Sequence, residues 1–212
     1  MPAAVAECFT FDDLDPKAKE HALERYRNWW VQDDWWSNVY EDAVHIAELL
    51  GISIDRKGKH GPAIHFSGFW SQGDGASFEG TYRPRADTYD ALVAHIGDSD
   101  QTLHDLARRL TVLNVGWALD EEIGSVSATI TTLGRYSHSG TMSLDVQVAA
   151  PDGQYMDCAL VGEEELTACM REFANWIYKQ LEAEHEYLTS DESLTEQFRD
   201  GETKFDEDGD II

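Results

Sequence analysis

The chain has 212 residues, with 41 acidic against 16 basic side chains and a formal net charge of −25. Such a surface repels nucleic-acid phosphates and anionic membranes and attracts basic protein grooves. With 42% hydrophobic residues and no run of about eighteen apolar ones, the sequence supports a buried core and excludes a membrane-spanning helix.

Met1-Pro2-Ala3-Ala4-Val5-Ala6-Glu7 lacks the basic and long apolar stretches of a secretory signal, so the expected location is the cytoplasm. Cys8, Cys158 and Cys169 are few, odd in number and far apart, which argues against a disulfide framework or a zinc knuckle. Asp15-Pro16 predicts a helix start, and Ala18, Ala22, Tyr26 and Trp29/Trp30 recur at helical spacing until Asp33-Asp34. A second helix is predicted from about Trp35, with Trp36, Tyr40, Ala43, Ala47 and Leu50 on one face and Gly51 as its stop. Ile52-Ser53-Ile54 begins a strand region. Ala63–Trp70 and Ser77–Tyr82 then read as one hairpin around a Gly-rich loop. Its alternation predicts two aromatic–Gly–aromatic rows, Phe66/Gly68/Trp70 and Phe78/Gly80/Tyr82.

Tyr89, Leu92, Val93 and Ile96 mark a short helix, and Leu103 to Leu113 a longer one. A three-strand meander follows. Val126/Ala128/Ile130 alternate in its first strand, Met142/Leu144/Val146/Val148 in its second, and Gln154 to Leu160 form its third. The longest helix starts near Glu163, with Leu166, Met170, Phe173, Ile177 and Leu181 as its apolar stripe. Residues 191–212 read as a short helix around Glu192–Arg199 plus a small hairpin turning at Asp208-Gly209. The expected fold is a single α+β domain over residues 1–212, with antiparallel strands packed against five or six helices.

No catalytic constellation emerges. Gly-x-Ser-x-Gly, His-x-x-x-His and phosphate-loop patterns are absent, and Asp206-Glu207-Asp208-Gly209 has its glycine too early for a calcium loop. No cofactor or metal is therefore expected, and His65 is placed on the strand face turned to solvent. In the Gly-rich loop, Ser71, Gln72 and Asp74 are candidate ligand contacts. The paired tryptophans 29/30 and 35/36 are candidates for an interface or for a helix corner.

The run Ile64-His65-Phe66-Ser67-Gly68-Phe69-Trp70-Ser71-Gln72-Gly73-Asp74-Gly75-Ala76-Ser77-Phe78-Glu79-Gly80 resembles the signature of a family of small acidic proteins encoded by phages and prophages. Trp35-Trp36 with Val39-Tyr40-Glu41-Asp42, Glu186 to Glu192, and Phe205 to Gly209 are similar to it as well. The stretch from about Thr88 to Leu160 shows no such likeness. The family is largely uncharacterised and sometimes labelled antitoxin-like, so the resemblance carries over no catalytic residue. It implies a phage or mobile-element origin and the bacterial cytoplasm.

Acidity and this resemblance together predict an accessory protein that inhibits a host nucleic-acid-handling defence complex, in the manner of an anti-CRISPR, anti-restriction or DNA-mimic protein. The expected partner is a basic or nucleic-acid-binding host protein, with no direct nucleic-acid or membrane contact and with a homodimer left open. The candidate contacts are Glu163, Glu164, Glu165, Glu182, Glu184, Glu186, Asp206, Glu207 and Asp208. The alternatives are an antitoxin or regulator that neutralises a toxin, and a small-ligand or metal-dependent enzyme at Ser71–Gly75.

Overall fold

The computed structural model describes residues 8–31, 34–58 and 61–212, without the Trp30 side chain. The Met1–Glu7 segment, the Trp30 ring and Asp33 discussed above lie outside the described residues. The expected α+β class holds, with six α-helices and antiparallel sheets of five and two strands among the described residues. Two compact units are distinguishable, a central one of Asn38–Gln180 and a terminal one of Met1–Ser37 with Leu181–Ile212.

In the central unit α2 (Ser37–Leu49) buries Tyr40, Ala43, Ile46 and Ala47, the face its periodicity predicts. It stops at Gly51, whose φ of +85° few other residues tolerate. Strand β1 (Ile52–Ile54) follows, and β2 (Ile64–Phe66) pairs with β3 (Ala76–Phe78) in the register Ile64↔Phe78 and Phe66↔Ala76. The expected long hairpin is here corrected. Its first strand ends at Phe66, and its second divides at Glu79. The Glu79 N–H donates to Ala63 O (3.0 Å), whereas its carbonyl accepts from Asp55 N (2.9 Å). The chain thereby passes from the small sheet to the large one, where β4 (Gly80–Tyr82) pairs with β1 and with β5 (Ser125–Thr132).

Nor does Gly80 leave room for leaning rings. A Cβ there would strike the Ser53 carbonyl oxygen, so the glycine permits the close approach of β1. Phe78 and Tyr82 are fully buried, but Trp70, expected in the matching row, is 81% exposed.

The large sheet has the order β1-β4-β5-β6-β7, with β6 (Met142–Ala149) beside β7 (Tyr155–Met156). The predicted third meander strand shrinks to those last two residues. Helices α3 (Thr88–Ile96), α4 (Gln101–Leu119) and the first part of α5 (Glu163–Leu188) complete the unit. Leu103, Leu106, Leu110, Ile130 and Ile177 are almost wholly buried, and Phe173 stands edge-on to Phe78 at 5.6 Å between centroids. Each such side chain contributes about 1.5–3 kcal/mol by leaving water. The buried Tyr82 hydroxyl donates to Asn114 Oδ1 (2.6 Å), and Asn114 Nδ2 donates to Arg85 O (2.9 Å), so this polar pair in the core is satisfied.

In the terminal unit α1 (Pro16–Tyr26) begins as predicted, with Asp15 Oδ1 accepting from Lys17 N (2.8 Å) and Ala18 N (2.9 Å). Its described residues form a small buried cluster of Phe11, Leu14, Ala18, Ala22, Leu194, Phe198 and Phe205. Helix α6 (Asp191–Asp200) supplies Leu194 and Phe198. The expected C-terminal hairpin is a tight turn held by isolated bridges, Phe9↔Phe205 and Phe205↔Ile211, rather than by strands. Gly209 makes that turn possible. Its φ is +91°, and a Cβ would collide with the Ala18 carbonyl oxygen. Among the described residues no helix is long and apolar enough to cross a membrane.

Candidate functional site

The nine acidic candidates fall into three groups with different occupations. Glu163, Glu164 and Glu165 form the first turn of α5, where the helix dipole favours them. They line a shallow groove with Leu160, Gly162 and Arg171. Glu165 is already engaged, because Arg109 Nε donates to its Oε1 at 2.6 Å and the same guanidinium grips Glu172. This double pairing holds the Arg109 pKa above its ordinary value and ties α4 to α5.

Glu182, Glu184 and Glu186 do not share one helical face. Glu182 and Glu186 lie one turn apart, whereas Glu184 points about 200° away. Glu186 is exposed and the other two are half-buried.

The third group is brought together by the C-terminal turn. Asp206 Oδ1 accepts from Asp208 N (3.0 Å) and Asp210 N (2.9 Å), so this carboxylate closes the turn instead of facing a partner. Glu207 and Asp208 are exposed. They border a groove that also contains Lys17, His21 and Arg25.

The terminal unit carries the greater charge density. Its 69 residues hold 20 acidic and 6 basic side chains, a net −14, against 21 and 10 in the 143 residues of the central unit, a net −11. Its arginines are spoken for: Arg25 meets Asp210 at 3.0 Å, Arg27 meets Asp191 at 2.8 Å and Arg199 meets Asp12 at 2.6 Å. Glu20, Glu24, Glu192, Glu196, Asp200 and Glu202 stand exposed.

The Gly-rich loop is a self-closed turn. Asp74 Oδ2 accepts from Trp70 N (3.0 Å) and Ser71 N (2.7 Å), which commits that carboxylate to the loop itself. The Tyr178 hydroxyl donates to Gly68 O (3.0 Å), and Ser67 Oγ accepts from Gly75 N (3.2 Å). Ser71 and Gln72 are exposed beside Trp70. On the loop between β5 and β6, Tyr136 is 66% exposed. Of the tryptophan pairs, Trp35 and Trp36 are half-buried in edge contact, and Trp35 also packs on His185 at 5.5 Å. Trp29 is 42% exposed against Tyr26.

One cluster escaped the sequence reading. His65, expected to face solvent, is half-buried, and its Nε2 accepts from Lys57 Nζ at 3.1 Å. The same amine meets Glu79 Oε2 at 3.1 Å, and Thr132 Oγ1 donates to Glu79 Oε1 at 2.6 Å. Burial, then the Lys57 charge, lowers the His65 pKa, and the Thr132 hydrogen bond first of all lowers that of Glu79. No spacing in the sequence announces this set, because strand pairing assembles it. Cys169 is buried and its pKa is pushed up to about 12, which makes it a poor nucleophile. Among the described residues no three of His, Cys, Asp or Glu converge as a metal site.

A family model described as "Domain of unknown function (DUF8835)" matches residues 35–191. The match spans the whole central unit and leaves most of the acidic terminal unit outside it. No curated protein and no solved structure matches the chain.

Proposed function

For a chain that belongs to the DUF8835 domain-of-unknown-function family, we propose a protein-binding role in which the terminal unit offers its acidic surface to a basic partner. The observation that carries this reading is the net −14 of that unit, with its three arginines already ion-paired. The uncompensated carboxylates set up a field that selects basic grooves and speeds encounter with them. The partner class is a nucleic-acid-handling protein whose phosphate-binding groove the carboxylates occupy. A host defence complex is the partner that the likeness to phage-encoded proteins implies, and no reaction is assigned to the chain.

The test is retention of bacterial proteins on the immobilised full chain across a salt series. A basic, nucleic-acid-binding protein should be retained at low salt and released steeply as salt rises. Replacing Glu192→Gln, Glu196→Gln and Asp200→Asn together should weaken retention roughly tenfold or more. Retention that ignores both salt and these substitutions overturns the reading.

A second reading, a regulator of the antitoxin kind, is favoured by the exposed Trp70 beside Ser71 and Gln72, since tryptophan is enriched at binding hot spots. Under it, Trp70→Ala would abolish binding and the acidic substitutions would not.

A further inference from the structure

His45 on α2 and His95 on α3 are both exposed, and their rings lie 4.4 Å apart between centroids at an interplanar angle of 61°. Neither belongs to the acidic surface, the Gly-rich loop or the Lys57–His65–Glu79 cluster. Their spacing is set by the scaffold. Arg85 Nη1 donates to Glu48 O at 2.9 Å in the last turn of α2. The same guanidinium pairs with Asp87, the residue capping α3, at 3.0 and 2.9 Å. Gly51 O, just after α2, accepts from Arg83 N at 2.9 Å. The two helix segments that carry the rings are therefore tied together by the Arg85 guanidinium and by one backbone hydrogen bond.

We infer that His45 and His95 form a two-imidazole site for a divalent transition ion of the tetragonal kind, Cu²⁺ or Ni²⁺. Imidazole nitrogens bind such ions at about 2.0 Å, so two rings cis at about 90° place their centroids about 4.5 Å apart, whereas a tetrahedral angle widens that to about 5.2 Å. The observed separation matches the cis arrangement. No third protein donor joins the pair among the described residues. Water therefore completes the coordination sphere, and the ion is exchangeable rather than structural. Glu41 and Glu48 flank His45 one turn away on α2, and Asp98 follows His95 by three residues. Their field concentrates cations at the site without ligating them.

The experiment titrates Cu²⁺ alone into the full metal-free chain, followed by calorimetry and electron paramagnetic resonance. Ni²⁺ serves as a second probe, read by broadening of histidine ring signals. The wild type should take up one Cu²⁺ with hyperfine structure from two nitrogens, and Ni²⁺ should broaden the His45 and His95 rings first. His45→Gln or His95→Gln should each weaken this binding at least about tenfold, because either loss breaks the chelate, and the double variant should bind at least as weakly as either single one. Circular dichroism of the variants checks that the exposed substitutions leave the fold intact. Equal Cu²⁺ affinity and spectra in the wild type and the double variant overturn the proposal, as does Ni²⁺ broadening that begins at other histidines.

Discussion

The central unit is built on two sheets and long helices and carries a net −11 over 143 residues, whereas the terminal unit carries −14 over 69 residues, with a cluster of seven buried side chains among its described residues. Self-repulsion opposes compaction in both, but only the terminal unit sets so much of it against so small a core. The central unit carries about two-fifths of that charge density. The family match sharpens the contrast, because residues 1–34 and 192–212 fall outside it.

The strongest way to break this comparison is to damage each core separately. Phe198 is 1% exposed and stands edge-on to Phe205 at 5.1 Å. Phe78 holds the matching position in the central unit. Truncating either to alanine should remove about 3–5 kcal/mol, from lost transfer energy and the cavity left behind. Under urea, Phe198→Ala should move a terminal-unit transition and leave a central one in place, and Phe78→Ala should do the reverse. A single transition shifted equally by both variants would mean that the units fold as one and that the comparison has no energetic content.

A somewhat smaller effect is expected at the turn glycine. Gly209→Ala introduces a Cβ at φ +91° against the Ala18 carbonyl, which should cost at least about 2 kcal/mol in the terminal unit. Thermal melts of the variant read this directly. Asp208-Gly209 was legible in the sequence because the turn chemistry is local, and so were the Asp15 cap, the Gly51 stop and the apolar stripe of α5. The handover at Glu79 was not. It depends on Ala63 and Asp55 presenting backbone groups from elsewhere in the chain, and no residue type near Glu79 encodes that. The His65 cluster and the His45–His95 pair were hidden for the same reason, since each is assembled by pairing or packing of separate elements. Among the candidate acids, the sequence could not tell a spent carboxylate from an available one. Glu165, Asp74 and Asp206 each have an internal partner that only the fold supplies.

Smaller still is the pH response, which samples both units. Burial foremost lowers the pKa of His65 in the central unit and of His185 in the terminal one. A histidine whose folded pKa lies below its unfolded value of about 6.5 contributes fully above that pH. As pH falls from there through the folded value, the unfolded state takes the proton first and stability is lost. Melting temperatures should therefore decline between pH 7 and pH 5.5. His65→Gln should flatten the decline of the central transition, and His185→Gln that of the terminal one. Profiles unchanged by either substitution would show that these rings are not the groups being titrated.

The smallest expected effect concerns salt, and its sign is the informative part. Screening weakens attractive pairs such as Arg199–Asp12 and Arg27–Asp191, which lowers stability, and it also weakens repulsion among unpaired carboxylates, which raises it. Exposed pairs contribute little individually. With 20 acidic against 6 basic side chains in the terminal unit, repulsive pairs far outnumber attractive ones. Raising salt from low to moderate should therefore raise the terminal transition, and raise the central one less. Arg199→Gln should lower the terminal transition slightly, by an amount that shrinks as salt increases. A terminal transition that falls with salt would mean that its carboxylates are balanced by their internal partners. The acidic surface would then hold no surplus field to offer a basic partner, and the aromatic loop at Trp70 would become the better place to look for one.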